Sequence, residues 1–169
     1  MTTQPLLTFE SLQRLSLCWD DLTVGTKYTT SSRTITEADV AAFAALTGDM
    51  NRLHVDAEYA GTSVHGQRIA HGMLVASFMA GLTSRAIPNQ LMEDALFGVL
   101  ENRIRFPRAT HIGDTIRVEV EVVEQRPTSK PERGLTGFLR KAVNQRGEVC
   151  AEMETTYLMR RRRTSHPGS

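Results

Sequence analysis

The segment Gly72-Met73-Leu74-Val75-Ala76-Ser77-Phe78-Met79-Ala80-Gly81-Leu82 carries no charge and shows no polar face at helical spacing. A helix that is apolar all the way round is expected to be buried on every side, so another part of the chain has to wrap it. The run is too short to cross a bilayer as a helix. It reads as the centre of a globular core.

The C-terminal half offers the wrapping. Ile116, Val118, Val120 and Val122 alternate with Arg117, Glu119 and Glu121, the period-two pattern of a strand with one wet face. Leu100 to Phe106 alternates more weakly, with Ile104 and Phe106 expected inward. Leu135 to Val143 and Val149 to Met159 read as two further strands, joined through the hairpin-type residues Asn144-Gln145-Arg146-Gly147. The stretch Arg126 to Gly134, RPTSKPERG, is short enough to connect neighbouring strands. Thr26 to Thr34, rich in Thr, Ser and Tyr, predicts one more strand. The expected architecture is α+β: a single domain with an antiparallel sheet wrapped around a central buried helix. Its expected bounds are 17–160, with an N-terminal extension at 1–16 and a tail at 161–169. The run Arg160 to Arg163 is read as a solvated end.

A chain of 169 residues, 40% hydrophobic and 23% charged, can bury a core without staples. A formal net charge of +1 gives no argument for a nucleic-acid partner. Cys18 and Cys150 are too few for a disulfide framework, and no CxxC pair is present to hold zinc. The expected setting is cytoplasmic, with no leader and no membrane-spanning segment.

Thr36 followed by Asp39 has the form of a capping box at a helix start. Val40, Phe43, Ala44 and Thr47 fall on one face of that helix, and Gly48 is placed to end it. The next residues complete the stretch TGDMNRLHVD, which gathers Asp49, Asn51, His54 and Asp56. Asp49 and His54 could stand roughly 17 Å apart if extended, so both can serve one small substrate only if the loop curls. Gly48 and Asn51 permit such a turn. A carboxylate and an imidazole over one pocket suit proton transfer between water and carbon. Taken alone, the same residues could merely satisfy loop backbone.

The segment RIAHGML places His71 and Gly72 at the start of the apolar helix. A helix N-terminus offers unpaired N–H groups and partial positive charge, and a glycine lets a ligand oxygen approach the backbone. Such a donor stabilises charge on a carbonyl becoming enolate-like. Close helix–sheet packing would also explain a glycine here.

Together these segments resemble the MaoC-like hydratases, the (R)-specific enoyl-CoA hydratases of the hot-dog fold. The family motif reads approximately (Y/F)-x-x-L-(S/T)-G-D-x-N-P-(L/I)-H-x-D, and Phe43 to Asp56 matches every named place except Arg52, which stands where the family has Pro. Arg68 to Leu74 resembles the family's R-I-(A/V)-H-G-M-L segment. Phe106 to Asp114 resembles its F-x-x-P-V-x-x-G-D, with Ala109-Thr110 replacing Pro-Val. The likeness runs from about Trp19 to about Arg160.

The resemblance implies a hot-dog fold and reversible hydration of a trans-2-enoyl thioester. It implies Asp49 and His54 as the catalytic pair, Asn51 as the amide orienting the loop, and the Gly72 N–H as donor to the thioester carbonyl. Arg52 and His71 are candidates for substrate contact. The expected substrate is an acyl-CoA; no metal and no further cofactor are implied. The expected assembly is a homodimer or a pair of dimers. Two other readings stay open: a thioesterase on the same fold, and a non-catalytic protein that binds an acyl thioester. Neither His65 and His111, taken with His54 and Asp56, nor Ser63 and Ser77 stand in a recognised metal or nucleophile motif.

Overall fold

A computed structural model describes Ser11 and residues 15–162. The expectations for the first residues and for residues 163–169 otherwise lie outside the described residues. Six strands form one antiparallel sheet: β1 (Lys27–Thr29), β2 (Arg33–Thr34), β3 (Leu96–Arg105), β4 (Thr115–Pro127), β5 (Arg133–Val143) and β6 (Val149–Arg160). The order is β1-β4-β5-β6-β3, with β2 also paired to β4. The helices are α1 (Glu37–Thr47), α2 (Arg52–Val55), α3 (Ala57–Thr62), α4 (Gly72–Ser84) and α5 (Ile87–Met92).

The strands follow their side-chain alternation. Ile116, Val118, Val120 and Val122 are all buried on the concave face of β4, against Leu74, Val75, Met79 and Leu82 of α4. The Asn144–Gly147 turn closes the β5–β6 hairpin, with Gly147 at φ +79° supplying the left-handed residue. Strand β3 starts at Leu96, four residues before the expected start at Leu100. The predicted strand over 26–34 is two pieces. Thr30 intervenes, and its hydroxyl takes the Val118 N–H that a continuous strand would have bonded through its backbone.

The α4 helix corrects one expectation. Its sheet-facing stripe is buried, but Met73 is 54% exposed and Ser77, Ala80 and Gly81 are open as well. One curled sheet covers one side of a helix. The opposite stripe, made of small residues, lines a groove along the helix. The end of the chain's last strand is tied to the turn at Trp19–Asp21. Arg161 and Arg162 are tied to Asp20 and Asp21 by guanidinium–carboxylate pairs, and Arg161 lies over the Trp19 ring.

Candidate active site

The sharp end of α1 starts the site. Thr36 and Asp39 cap its N-terminus reciprocally, and Gly48 adopts φ +76° at its C-terminus, where its N–H reaches the Ala44 carbonyl. The loop then folds on itself through short side-chain bonds. The Thr47 hydroxyl accepts from the Asp49 N–H, and the Asp49 carboxylate from the Asn51 N–H. The Asn51 side chain caps the single turn α2 by accepting from the Leu53 N–H at 3.0 Å. That turn carries His54. The curl that joint action requires is thus built from Gly48, Asp49 and Asn51.

One donor atom from each of Asp49, His54 and His71 lies within 4.8 Å of the others. The His54 Nδ1 is 2.8 Å from the Ile69 carbonyl oxygen. A carbonyl only accepts, so Nδ1 carries the proton and the neutral ring presents Nε2 as a free acceptor. His71 Nε2 likewise donates to the Asp49 carbonyl at 3.0 Å. The two imidazoles stack with centroids 3.8 Å apart, and Phe43 packs on His71 from 5.0 Å. Asp49 itself is exposed at the rim.

His71 is 2% exposed and its Nδ1 has no hydrogen-bond partner. The ring bonds the Asp49 backbone and packs against the His54 ring. His71 stands in the sequence as a candidate for substrate contact, and the structure adds its bond to the Asp49 carbonyl. An imidazole at the N-cap of an apolar helix was the available signal. Proximity alone would let Asp49, His54 and His71 hold a metal ion. His54 Nδ1 and His71 Nε2, however, are spent on backbone carbonyls, so each ring has only one nitrogen left for such a role.

Gly72 is the first residue of α4, and helix geometry leaves its N–H without an intrahelical acceptor. A Cβ there would meet the Phe106 ring at 3.0–3.1 Å. Phe106, expected inward on its strand, instead lies beyond β3, 46% exposed, with its ring over Gly72. The glycine thus serves both readings: it accommodates the ring and keeps the N–H approachable. A cavity of about 270 Å³ lies between these groups, lined by His54, His65, Gly72, Phe106, Arg108 and Thr110.

Arg52 faces away from the cavity. Its guanidinium bonds Asp56 at 2.8 and 3.0 Å and covers the Tyr59 ring at 4.2 Å. Asp56 also accepts from the Tyr59 N–H, and this bond, with Arg52, holds its carboxyl below the ordinary range. Below the site, Asp114 is 3% exposed. Burial raises its carboxyl, but hydrogen bonds from Arg146, the His111 N–H and Gln145 outweigh that and hold it below the ordinary carboxylate range. Asp114 therefore anchors the 111–114 turn beneath Ile69, which pairs with His111.

Residues 21–142 match the family described as MaoC like domain. The chain is 38% identical over 115 residues to an (R)-specific enoyl-CoA hydratase of Aeromonas caviae, covering 68% of this chain and 81% of that protein. It is 31% identical over 117 residues to a 3-hydroxybutyryl-CoA dehydratase of Methylorubrum extorquens, covering 69% and 71%. Among solved structures, a monoamine oxidase regulatory protein from Archaeoglobus fulgius superimposes with TM-score 0.82 at 32% identity, over 87% of this chain and 96% of that one.

Proposed function

This chain belongs to the MaoC-like domain family, and on that premise we propose that it is a hydro-lyase, adding water across trans-2-enoyl-CoA to give (R)-3-hydroxyacyl-CoA and removing it in reverse. The observation that carries the reading is that His54, its Nδ1 spent on the Ile69 carbonyl, has a ring nitrogen within 4.8 Å of an Asp49 carboxylate oxygen and shares a cavity with Gly72 at the start of α4.

The chemistry follows from those positions. The thioester carbonyl accepts from the Gly72 N–H, which stabilises the negative charge that grows on its oxygen as the conjugated system is attacked. A water between Asp49 and His54 meets two acceptors, which orient its lone pair toward the β-carbon. The water oxygen bonds that carbon as one of its protons passes to the pair. The same proton then reaches the α-carbon as the enolate collapses, so one water is added and nothing is left over. Asn51 holds the turn that presents His54, and His71 holds the Asp49 backbone. The reaction so drawn requires no metal and no further cofactor.

The test is incubation with a trans-2-enoyl-CoA and separation of products on a chiral phase. The (R)-3-hydroxyacyl thioester is expected. Release of free coenzyme A would instead make the protein a thioesterase, and binding without product would make it a carrier.

The assembly we propose is a homodimer. Strand β3 is an unpaired sheet edge carrying exposed Phe97, Val99 and Leu100. Sedimentation at micromolar concentration checks it, and an active monomer would refute it. No helix among the described residues is long and apolar enough to cross a membrane. The two free, buried thiols, Cys18 and Cys150, suit a reducing cytoplasm. Fractionation of cells with the protein in an oxidising compartment would overturn that placement.

A further inference from the structure

The groove along the open face of α4 is floored by a cation. Its volume is about 360 Å³, and its lining includes Met73, Ser77, Ala80, Asn102, Arg140 and Tyr157. Arg140 is 3% exposed. Its sheet neighbours in register are Val120 on β4 and Met153 on β6, both apolar and buried. Its hydrogen bonds go to neutral oxygens: Nη1 to the Thr155 hydroxyl at 2.5 Å and Nη2 to the Tyr157 hydroxyl at 3.0 Å. Thr155 in turn donates to the Asn102 amide oxygen. The Arg140 Nε is buried without any partner. Among the described residues no carboxylate pairs with this guanidinium.

A guanidinium cannot shed its proton to escape burial, and buried charges are otherwise paired. The Phe138 and Tyr157 ring centroids lie 5.4 and 5.2 Å from the guanidinium, but such contacts offset only a small part of the cost of a buried, unpaired charge. Two of its five donors are spent on hydroxyls; the rest of the fork matches the two oxygens of a carboxylate. The position of the groove names the ligand. It begins at Met73, the residue after Gly72, and follows the helix by Ser77 and Ala80 to Ser84, a span of roughly 17 Å at 1.5 Å per residue. A thioester held at the Gly72 N–H can lay its acyl chain along this line.

We propose that Arg140 is a specificity-determining residue that binds a carboxylate at the far end of the acyl chain, so that the preferred substrate is an ω-carboxy-2-enoyl thioester rather than a plain alkyl one. This rests on the proposed hydratase reading for the placement of the thioester, but binding can be tested without turnover.

The experiment measures dissociation constants for saturated thioesters, which cannot be hydrated: succinyl-, glutaryl-, adipoyl- and suberoyl-CoA against butyryl-, valeryl-, hexanoyl- and octanoyl-CoA. At one chain length or more, the dicarboxylic member is expected to bind wild type at least tenfold tighter. Arg140→Met is expected to bring that ratio near one, and Arg140→Lys to retain part of it, because an ammonium keeps the charge but not the fork. A wild-type ratio of one or less at every length overturns the proposal whether or not the variants fold. So does a folded Arg140→Met that keeps the preference. Crotonyl-CoA hydration, run in parallel, separates the two readings. Turnover without carboxylate preference overturns only the role of Arg140; preference without turnover on any enoyl-CoA supports that role and overturns the hydratase.

Discussion

The imidazole of His54 packs against that of His71, with ring centroids 3.8 Å apart and planes tilted by 31°, and each ring is fastened by a backbone carbonyl, Ile69 for one and Asp49 for the other. The pair links the start of α4 to the loop that leaves α1. His71 is therefore expected to act through position. His71→Phe keeps the stacking and the volume but loses the bond to Asp49. It should fold, melt within a few degrees of wild type, and lower kcat about tenfold to a hundredfold with little change in KM. Equal kcat would remove the positioning role; a rise in KM alone would return His71 to substrate contact.

Gly72 and Phe106 form a second linked pair. A methyl at residue 72 would sit 3.0 Å from the Phe106 ring and beside the donor N–H. Gly72→Ala should cost about 1–3 kcal/mol by overpacking and should also abolish most hydration. Phe106→Leu in the same chain should restore stability in urea without restoring rate. Recovery of both would show that the glycine serves packing alone.

Arg52 occupies the first position of the one-turn helix α2, after the Asn51 cap. Proline is favoured at that position because its fixed φ is preorganised and its missing N–H is unpaired there anyway. The ion pair to Asp56 is exposed and screened by solvent, so it adds little to stability. Arg52→Pro should thus change stability by less than about 1 kcal/mol and leave hydration rates equal on neutral and acidic enoyl-CoAs. A selective loss on an acidic substrate would place Arg52 in the binding site.

Much of this was legible in the sequence. The buried alternation of β4 was visible because one face of that strand is wet, and the cap of α1 because Thr36 and Asp39 act locally. Asp49, Asn51 and His54 stood within one short segment, so their spacing could be read. Other features depended on distant partners. Thr30 breaks a strand by bonding Val118, and Phe106 turns over Gly72 after its strand has ended. Arg140 stands between Leu139 and Lys141 in a strand whose concave side admits a cation, against the rule that charge faces water. The open stripe of α4 was hidden because alanine, serine and glycine look alike in a groove and in a core.

Asp114 sets an acid limit. Its carboxyl in the folded chain is held below the ordinary range, so its contribution is present above the unfolded carboxylate value and disappears as pH falls through the folded one. Asp114→Asn should destabilise by about 1.5–3 kcal/mol at pH 7, through weaker bonds to Arg146 and the His111 N–H. The penalty should shrink in urea titrations as pH falls below the ordinary carboxylate range. A penalty independent of pH would show that shape, not charge, is what Asp114 supplies.

The central claim is that Asp49 and His54 add water to an enoyl thioester. The direct measurement is hydration of crotonyl-CoA, followed by loss of the conjugated thioester's ultraviolet absorbance, for wild type beside Asp49→Asn and His54→Gln, with free thiol assayed in the same cuvette. The account predicts turnover by wild type, no thiol release, and a loss of at least about a hundredfold in each folded variant. Undiminished turnover in either variant, or thiol appearing as the absorbance falls, would contradict it.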